Sequence, residues 1–215
     1  MTLVRDVLGL FVVQILGICC LLGAMGAIVF GGPRPSALRN PVRVVAERDP
    51  GRWTEVAWLA GTFVAVLWPI GVLAVPEFAY HWPTTPDFLA SWAFQLSGFA
   101  ISVGAGILFF RASRALGNYM TPAIRVRQDH QLVQEGPYRY IRHPLYTAIV
   151  ASAGGLSLLF LSPVLLAVTL LLAGVAIYRA RLEEELLGSP EAFGSAYAGY
   201  VARTGRFLPR IRSRP

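Results

Sequence analysis

Residues 144–178 read PLYTAIVASAGGLSLLFLSPVLLAVTLLLAGVAIY and contain no charged side chain. A bilayer core about 30 Å thick is crossed by roughly 20 residues of helix, so this stretch is too long for one span and sufficient for two. Ser162 and Pro163 stand in its middle, and a proline disfavours helical dihedrals in the residue before it. The stretch therefore predicts a helical hairpin over 144–161 and 163–179. The alternative is one long, kinked and tilted helix.

Three further apolar runs precede the hairpin and predict three more spans. They cover residues 7–30, 53–75 and 88–110, and the first and third carry no charge. The first run is longer than the apolar core of a signal peptide, which has about 7–15 residues, so we expect an uncleaved span. The predicted fold is an all-α integral membrane protein with five transmembrane helices.

All 19 basic residues are arginine, and their distribution predicts the orientation of the chain. All but Arg5 lie in the loop 31–52, the segment 111–142 or the tail 179–215. Cytoplasmic loops carry the excess of basic residues in membrane proteins, so these three segments are expected in the cytoplasm. The N-terminus is then outside and the C-terminus inside. A basic composition made only of arginine is typical of a GC-rich genome, which points to a bacterial inner (plasma) membrane.

The overall composition excludes several classes of protein. With 55% hydrophobic and 14% charged residues, the chain is neither disordered nor an ordinary soluble domain. The formal net charge of +7 on an apolar chain indicates contact with anionic membrane lipids rather than with nucleic acid. Two adjacent cysteines and three dispersed histidines have no metal-ligand spacing, so no metal site is predicted.

The segment before the hairpin, residues 129–146, reads DHQLVQEGPYRYIRHPLY and combines features that a connector does not need. Gly136 and Pro137 predict a turn. Tyrosines supply aromatic faces with polar tips, and Pro144 suits the first turn of a helix, whose N–H groups are free to face a ligand. The alternative is an interfacial anchor, because tyrosine and arginine commonly mark membrane boundaries.

A second polar cluster follows the hairpin. Residues 179–185 read RARLEEE, and a continuing helix puts Arg179 and Glu183 on one face. The alternative is a solvated helix with weak surface ion pairs. Beyond it, Phe193, Tyr197 and Tyr200 are spaced to form the aromatic face of an amphipathic helix, which could lie on the membrane or close over a pocket.

These two clusters together resemble the isoprenylcysteine carboxyl methyltransferase family. The first block is His130-x-Leu-Val, Gly136-Pro-Tyr and Arg142-His-Pro-x-Tyr. The second is Arg179-x-x-x-Glu-Glu-x-x-Leu, followed by Phe193-Gly, Tyr197, Tyr200 and Arg206-Phe-Leu-Pro. The resemblance covers about residues 114–210. The first three spans resemble the family only in being apolar and of membrane-spanning length.

The resemblance implies an integral membrane methyltransferase that uses S-adenosyl-L-methionine. By motif position, the cofactor-binding residues are His130, Gln131, Leu132, Val133, Gly136, Tyr138, His143, Pro144, Leu145, Tyr146, Glu183 and Glu184. Arg179 and Glu183 are the implied catalytic residues, and the implied substrate-binding residues are Arg179, Arg181 and Arg206. The five residues between Leu187 and Phe193 are more than the family usually has. This leaves Glu183, Glu184 and Glu185 open as the cofactor's carboxylate partner, and Arg181 as an alternative to Arg179.

The implied reaction is methyl transfer to a lipophilic substrate that enters from the bilayer, such as the carboxylate of a prenylcysteine-like compound. Residues 1–110 form three spans with an arginine-rich loop, and residues 111–215 form the catalytic region. Two other functions remain open. One is a nicotinamide-dependent membrane reductase of the sterol-reductase type, and the other is a non-enzymatic scaffold that binds membrane lipids.

Overall fold

A computed structural model of the chain describes residues 12, 15, 17–19, 22, 43–74, 91–121 and 123–210. The predicted span 7–30 lies largely outside the described residues, and those described within it are helical. The described elements, in chain order, are β1 (Val44–Arg48), α1 (Arg52–Ala74), α2 (Ser91–Leu116), β2 (Ile124–Arg127), α3 (Pro144–Leu159), α4 (Pro163–Leu187) and α5 (Gly194–Arg203), with short 3-10 turns at Gly117–Tyr119 and Gly136–Arg139.

The predicted hairpin is confirmed as two antiparallel helices, α3 and α4. The turn contains Leu161 at a φ of 47°, and Ser162 caps α4 by accepting a hydrogen bond from the Leu165 amide at 3.3 Å. Pro163 then occupies the first turn of α4, where a missing N–H is harmless. The alternative of one continuous kinked helix is wrong. The helix α4 also runs on past the predicted end at 179 to Leu187.

The described part of the chain is mostly helical and contains two helices that are long and apolar enough to cross a membrane, Trp92–Tyr119 and Pro163–Leu187. The helix α1 occupies the predicted span 53–75, and α2 continues from the predicted third span to Leu116 without a break at 110. These helices expose several large apolar side chains, among them Phe63, Trp92 and Leu170. Large apolar side chains exposed on several helices are typical of contact with lipid.

The prediction of an all-α fold needs a correction, because β1 and β2 form a small antiparallel sheet. Glu47 pairs with Arg125 and Arg48 with Ile124, and a bulge lies between Val44 and Ala46. The strand β2 alternates apolar and basic residues, so Ile124 and Val126 are buried against Leu186 of α4. The hydrophobic contact with α4 stabilises a ribbon that would be marginal alone.

The sheet brings arginine-rich segments together at one end of the helices. The strand β1 leads into α1 and β2 follows α2, so their pairing places the loop before α1 beside the segment after α2. The tail after α5 joins the same end, because the His143 amide donates to the Arg206 carbonyl at 3.0 Å. The described parts of the three arginine-rich segments therefore lie on one side of the helical region.

The helices α2 and α3 approach each other closely where two glycines face. A Cβ atom built on Gly155 would lie 2.7 Å from the Gly98 carbonyl oxygen and 2.9 Å from the Ser102 amide. A Cβ atom on Gly98 would collide with the backbone of α3 at Gly155 and Leu159. Small residues at such a crossing let two helix backbones pack together in a membrane.

Replacement of Gly155 by alanine is therefore expected to destabilise the fold by about 1–3 kcal/mol, because the new methyl group overpacks the crossing. A titration with SDS from mixed micelles measures the change in free energy of unfolding. Gly154→Ala is the matched control, since its Cβ would lie 3.5 Å from Thr169 Cγ2 in ordinary contact. Equal stability of the two variants would contradict the close packing of α2 on α3.

Candidate active site

A cavity of about 580 Å³ opens at the end of the helices where the arginine-rich segments meet. All five helices and β2 contribute to its walls, together with the loop that leads from β2 to α3. Its volume is within the range of about 300–1,000 Å³ that is usual for pockets that bind small ligands.

Most of the residues predicted to bind a cofactor line this cavity. The nine are His130, Gln131, Leu132, Val133, Tyr138, His143, Leu145, Tyr146 and Glu183. They come from three separate elements, the loop before α3, the first turn of α3 and the end of α4. Arg179, predicted to bind the substrate, lies one helical turn before Glu183 and also lines the cavity.

The other predicted site residues lie outside the cavity lining. Gly136 adopts a φ of 56° and shapes the turn that carries Tyr138, whereas Pro144 is buried in the first turn of α3. Arg181 is exposed on the outer side of α4. Glu184 and Arg206 bond to each other beside the cavity. The structure thus does not bring these five residues to the cavity surface.

The three consecutive glutamates of α4 point in different directions, as successive helical residues must. Glu183 faces the cavity. Glu184 turns towards the start of α3 and the tail, and Glu185 is exposed. By position alone, Glu183 is the one of the three whose carboxylate can meet a ligand in the cavity.

Glu184 is surrounded by three basic side chains. Arg142 donates from Nε to its Oε1 at 2.8 Å, and the Nε of Arg206 lies 3.1 Å from both carboxylate oxygens. The His143 Nε2 lies 3.2 Å from Oε1. Arg142 also donates to the Thr204 carbonyl at 2.6 Å. This cluster holds the start of α3, the end of α4 and the tail in one arrangement.

His143 bridges the cavity carboxylate and the buried cluster. Its Nδ1 lies 3.4 Å from Glu183 Oε2, and its Nε2 faces Glu184, so each ring nitrogen meets a carboxylate. Burial disfavours the charged imidazolium, yet the hydrogen bonds to Glu183 and Glu184 outweigh it and raise the pKa of His143. A doubly protonated ring is then the form that satisfies both carboxylates.

The stability of the protein is expected to fall as pH rises above neutrality. Because the folded state raises the pKa of His143, its stabilising effect is complete below the ordinary value of 6.5 and is lost as pH passes the raised pKa. Thermal unfolding midpoints in detergent, followed upwards from pH 6.5, should decrease in the wild type and change less in His143→Gln. Parallel slopes in the two proteins would contradict this role for His143.

Aromatic groups close the opposite side of the cavity. The ring of His130 stacks on Tyr119 with centroids 4.5 Å apart and meets the edge of Phe193 at 5.8 Å. Burial lowers the pKa of His130, so its ring is neutral at pH 7, and burial raises the pKa of Tyr197, so its hydroxyl stays protonated. Among the described residues, neither His130 Nδ1 nor the Tyr197 hydroxyl has a hydrogen-bond partner. Buried polar groups that lack a hydrogen-bond partner are suited to bind a polar ligand.

The helix α5 confirms the predicted amphipathic helix and covers the cavity. Tyr197 and Tyr200 are buried on its inner face, and both line the cavity. The Tyr200 hydroxyl donates to the Tyr138 carbonyl at 2.7 Å, which ties α5 to the turn before α3. Thr147 then donates to the Phe207 carbonyl at 2.9 Å and fixes the tail beyond α5.

Sequence reasoning missed the contribution of α1 and α2 to the cavity. The lining includes Glu55, Trp58 and Leu59 of α1, and Phe109 and Leu116 of α2. These residues stand in apolar runs whose composition indicates only a membrane span. The one available signal was Glu55, a carboxylate at the edge of a span.

Comparison with protein families finds a match over part of the chain. Residues 98–188 match the isoprenylcysteine carboxyl methyltransferase (ICMT) family, which confirms over this segment the resemblance predicted from the motifs. The match supports a membrane methyltransferase in general and does not favour the reductase alternative. No curated protein matches the chain.

Proposed function

On the premise of this family match, we propose that the chain is an S-adenosyl-L-methionine-dependent methyltransferase that methylates the carboxylate of a lipophilic, prenylcysteine-like substrate. The observation that carries the proposal is that Arg179 and Glu183 line one cavity, one helical turn apart, within the matched segment. Two opposite charges at this spacing suit two ligands of opposite charge.

The residues present fit the cofactor. The Glu183 carboxylate suits its ammonium group, and the unpartnered His130 Nδ1 and Tyr197 hydroxyl suit its polar groups. The stacked rings of Tyr119 and His130 offer an aromatic face beside them. When bound, S-adenosylmethionine supplies an electrophilic methyl group.

The chain's own residues then act by binding, orientation and exclusion of water. The fork of Arg179 matches a substrate carboxylate and holds it towards the cavity. A carboxylate is already ionised at pH 7, so it needs no general base. The walls of α3, α4 and α5 exclude water and hold the two ligands at a fixed distance, which supplies much of the catalysis in a displacement reaction.

We further propose that five helices span the bacterial inner membrane, with the N-terminus outside and the site on the cytoplasmic side. The positions of the described arginine-rich segments at one end of the helices support this orientation. Trp58, Leu59 and Phe109 give the cavity an apolar flank towards the lipid-facing helices, which supports a substrate that enters from the bilayer. Anionic lipids are the proposed partners of the arginine-rich end.

Isothermal calorimetry in detergent tests cofactor use directly. S-adenosylmethionine is expected to release heat on saturable binding to the wild-type protein, whereas a reduced nicotinamide dinucleotide is expected to release none. Absence of S-adenosylmethionine binding at high micromolar protein would contradict the proposal.

A further inference from the structure

Thr54, near the start of α1, is completely buried and contacts the candidate site from outside the matched segment. Arg179 donates from Nη1 to the Thr54 hydroxyl oxygen at 3.2 Å, across 125 positions of sequence. Arg179 itself is only 5% exposed. The contact therefore joins the proposed substrate arginine to the first part of the chain, in a region shielded from water.

The Thr54 hydroxyl has a fixed direction. It donates its single proton to the Gly51 carbonyl at 2.9 Å, which leaves its lone pairs to accept from Arg179. Gly51 in turn is held at a φ of 82°, and its amide donates to Asp49 Oδ1 at 2.7 Å. This turn sets the start of α1 and presents an acceptor to the guanidinium.

The same face of α1 forms a wall of the cavity. Trp58, one turn after Thr54, meets Tyr146 edge to face with centroids 5.5 Å apart. The helix is thus fixed relative to α3 as well as to α4. Because an arginine side chain has many rotamers, a fixed acceptor on such a wall restricts the direction of its fork.

We infer that Thr54 is a positioning residue that orients the Arg179 guanidinium towards the substrate carboxylate. The inference rests on the proposed function, in which Arg179 binds that carboxylate. It assigns a part in substrate recognition to α1, which lies outside residues 98–188.

Steady-state methyl transfer to N-acetyl-S-farnesyl-cysteine is the test, with five proteins: wild type, Thr54→Val, Thr54→Ser, Arg179→Gln and the double variant Thr54→Val/Arg179→Gln. Thr54→Val should raise the KM for this acceptor about tenfold. A tenfold change corresponds to about 1.4 kcal/mol, which is close to the contribution of one hydrogen bond to a charged group. The KM for S-adenosylmethionine should stay within about twofold, and Thr54→Ser, which keeps the hydroxyl, should restore the acceptor KM. In the Arg179→Gln background, Thr54→Val should add little.

Val56→Ala is the matched control, because it changes an exposed residue of the same helix that does not line the cavity, and its acceptor KM should equal that of the wild type. An unchanged acceptor KM in Thr54→Val, or effects of Thr54→Val and Arg179→Gln that simply add, would overturn the inference. The free energies of unfolding of the two single variants and the double variant form a second double-mutant cycle. Their effects should also be non-additive, and this measurement detects the contact between Thr54 and Arg179 without depending on catalysis. If the wild type binds and methylates nothing while the unfolding cycle is non-additive, the proposed function fails rather than the contact, and the positioning role falls with it.

Discussion

Glu183→Gln is expected to raise the Kd for S-adenosylmethionine at least about 30-fold, which corresponds to about 2 kcal/mol. Truncation or neutralisation of one partner in a hydrogen-bonded charge pair costs about 2–5 kcal/mol, and the lower end applies because the Glu183 side chain is 36% exposed. The variant keeps the shape of the residue and removes only its charge. Calorimetric titration in detergent measures the effect.

Two matched controls separate this effect from a general disturbance of α4. Glu185→Gln changes an exposed neighbour on the same helix and should leave the Kd unchanged. Arg179→Gln should also keep cofactor affinity while it lowers turnover, because the arginine is assigned to the substrate. A Kd in Glu183→Gln equal to that of the wild type would show that the cofactor does not use this carboxylate.

Glu184→Gln is expected to lower the free energy of unfolding by about 3 kcal/mol. Removal of its charge leaves Arg142, His143 and Arg206 facing one another without their common counter-charge. Two of the three are well buried, with side-chain exposures of 9% for Arg142 and 3% for His143. An uncompensated charge in such surroundings is costly, and the tail would lose its bond to α4.

An SDS titration from mixed micelles measures the loss, with Glu185→Gln as the control, since an exposed substitution usually changes stability by less than about 0.5 kcal/mol. A loss below about 1 kcal/mol in Glu184→Gln would contradict the role of this cluster in holding the site together.

The parts of the fold that depend on local sequence could be predicted. The break at Ser162 and Pro163 follows from proline chemistry, and the helices follow from apolar runs of a length that a bilayer requires. The aromatic spacing of Tyr197 and Tyr200 likewise predicted the inner face of α5.

The parts that depend on contacts distant in sequence could not be predicted. The strands β1 and β2 are short and about 80 positions apart. The alternation of apolar and basic residues at Ile124–Arg127 therefore did not indicate which segment would pair with it. Adjacent glutamates point about 100° apart on a helix, and only packing decides that Glu183 faces the cavity while Glu184 faces Arg142. The contact between Thr54 and Arg179 is of the same kind. The sequence motifs therefore predicted where the candidate site lies. Only the three-dimensional structure shows which of its residues line the cavity and which support them from outside.

Transfer of labelled methyl from S-adenosylmethionine to a membrane lipid extract tests the central claim most directly. The wild-type protein is expected to produce a lipophilic labelled compound that releases labelled methanol in mild alkali, as a methyl ester does, and Glu183→Gln is expected to produce almost none. No label above the protein-free control would contradict a methyltransferase, and label that resists alkali would contradict a carboxylate as the methyl acceptor.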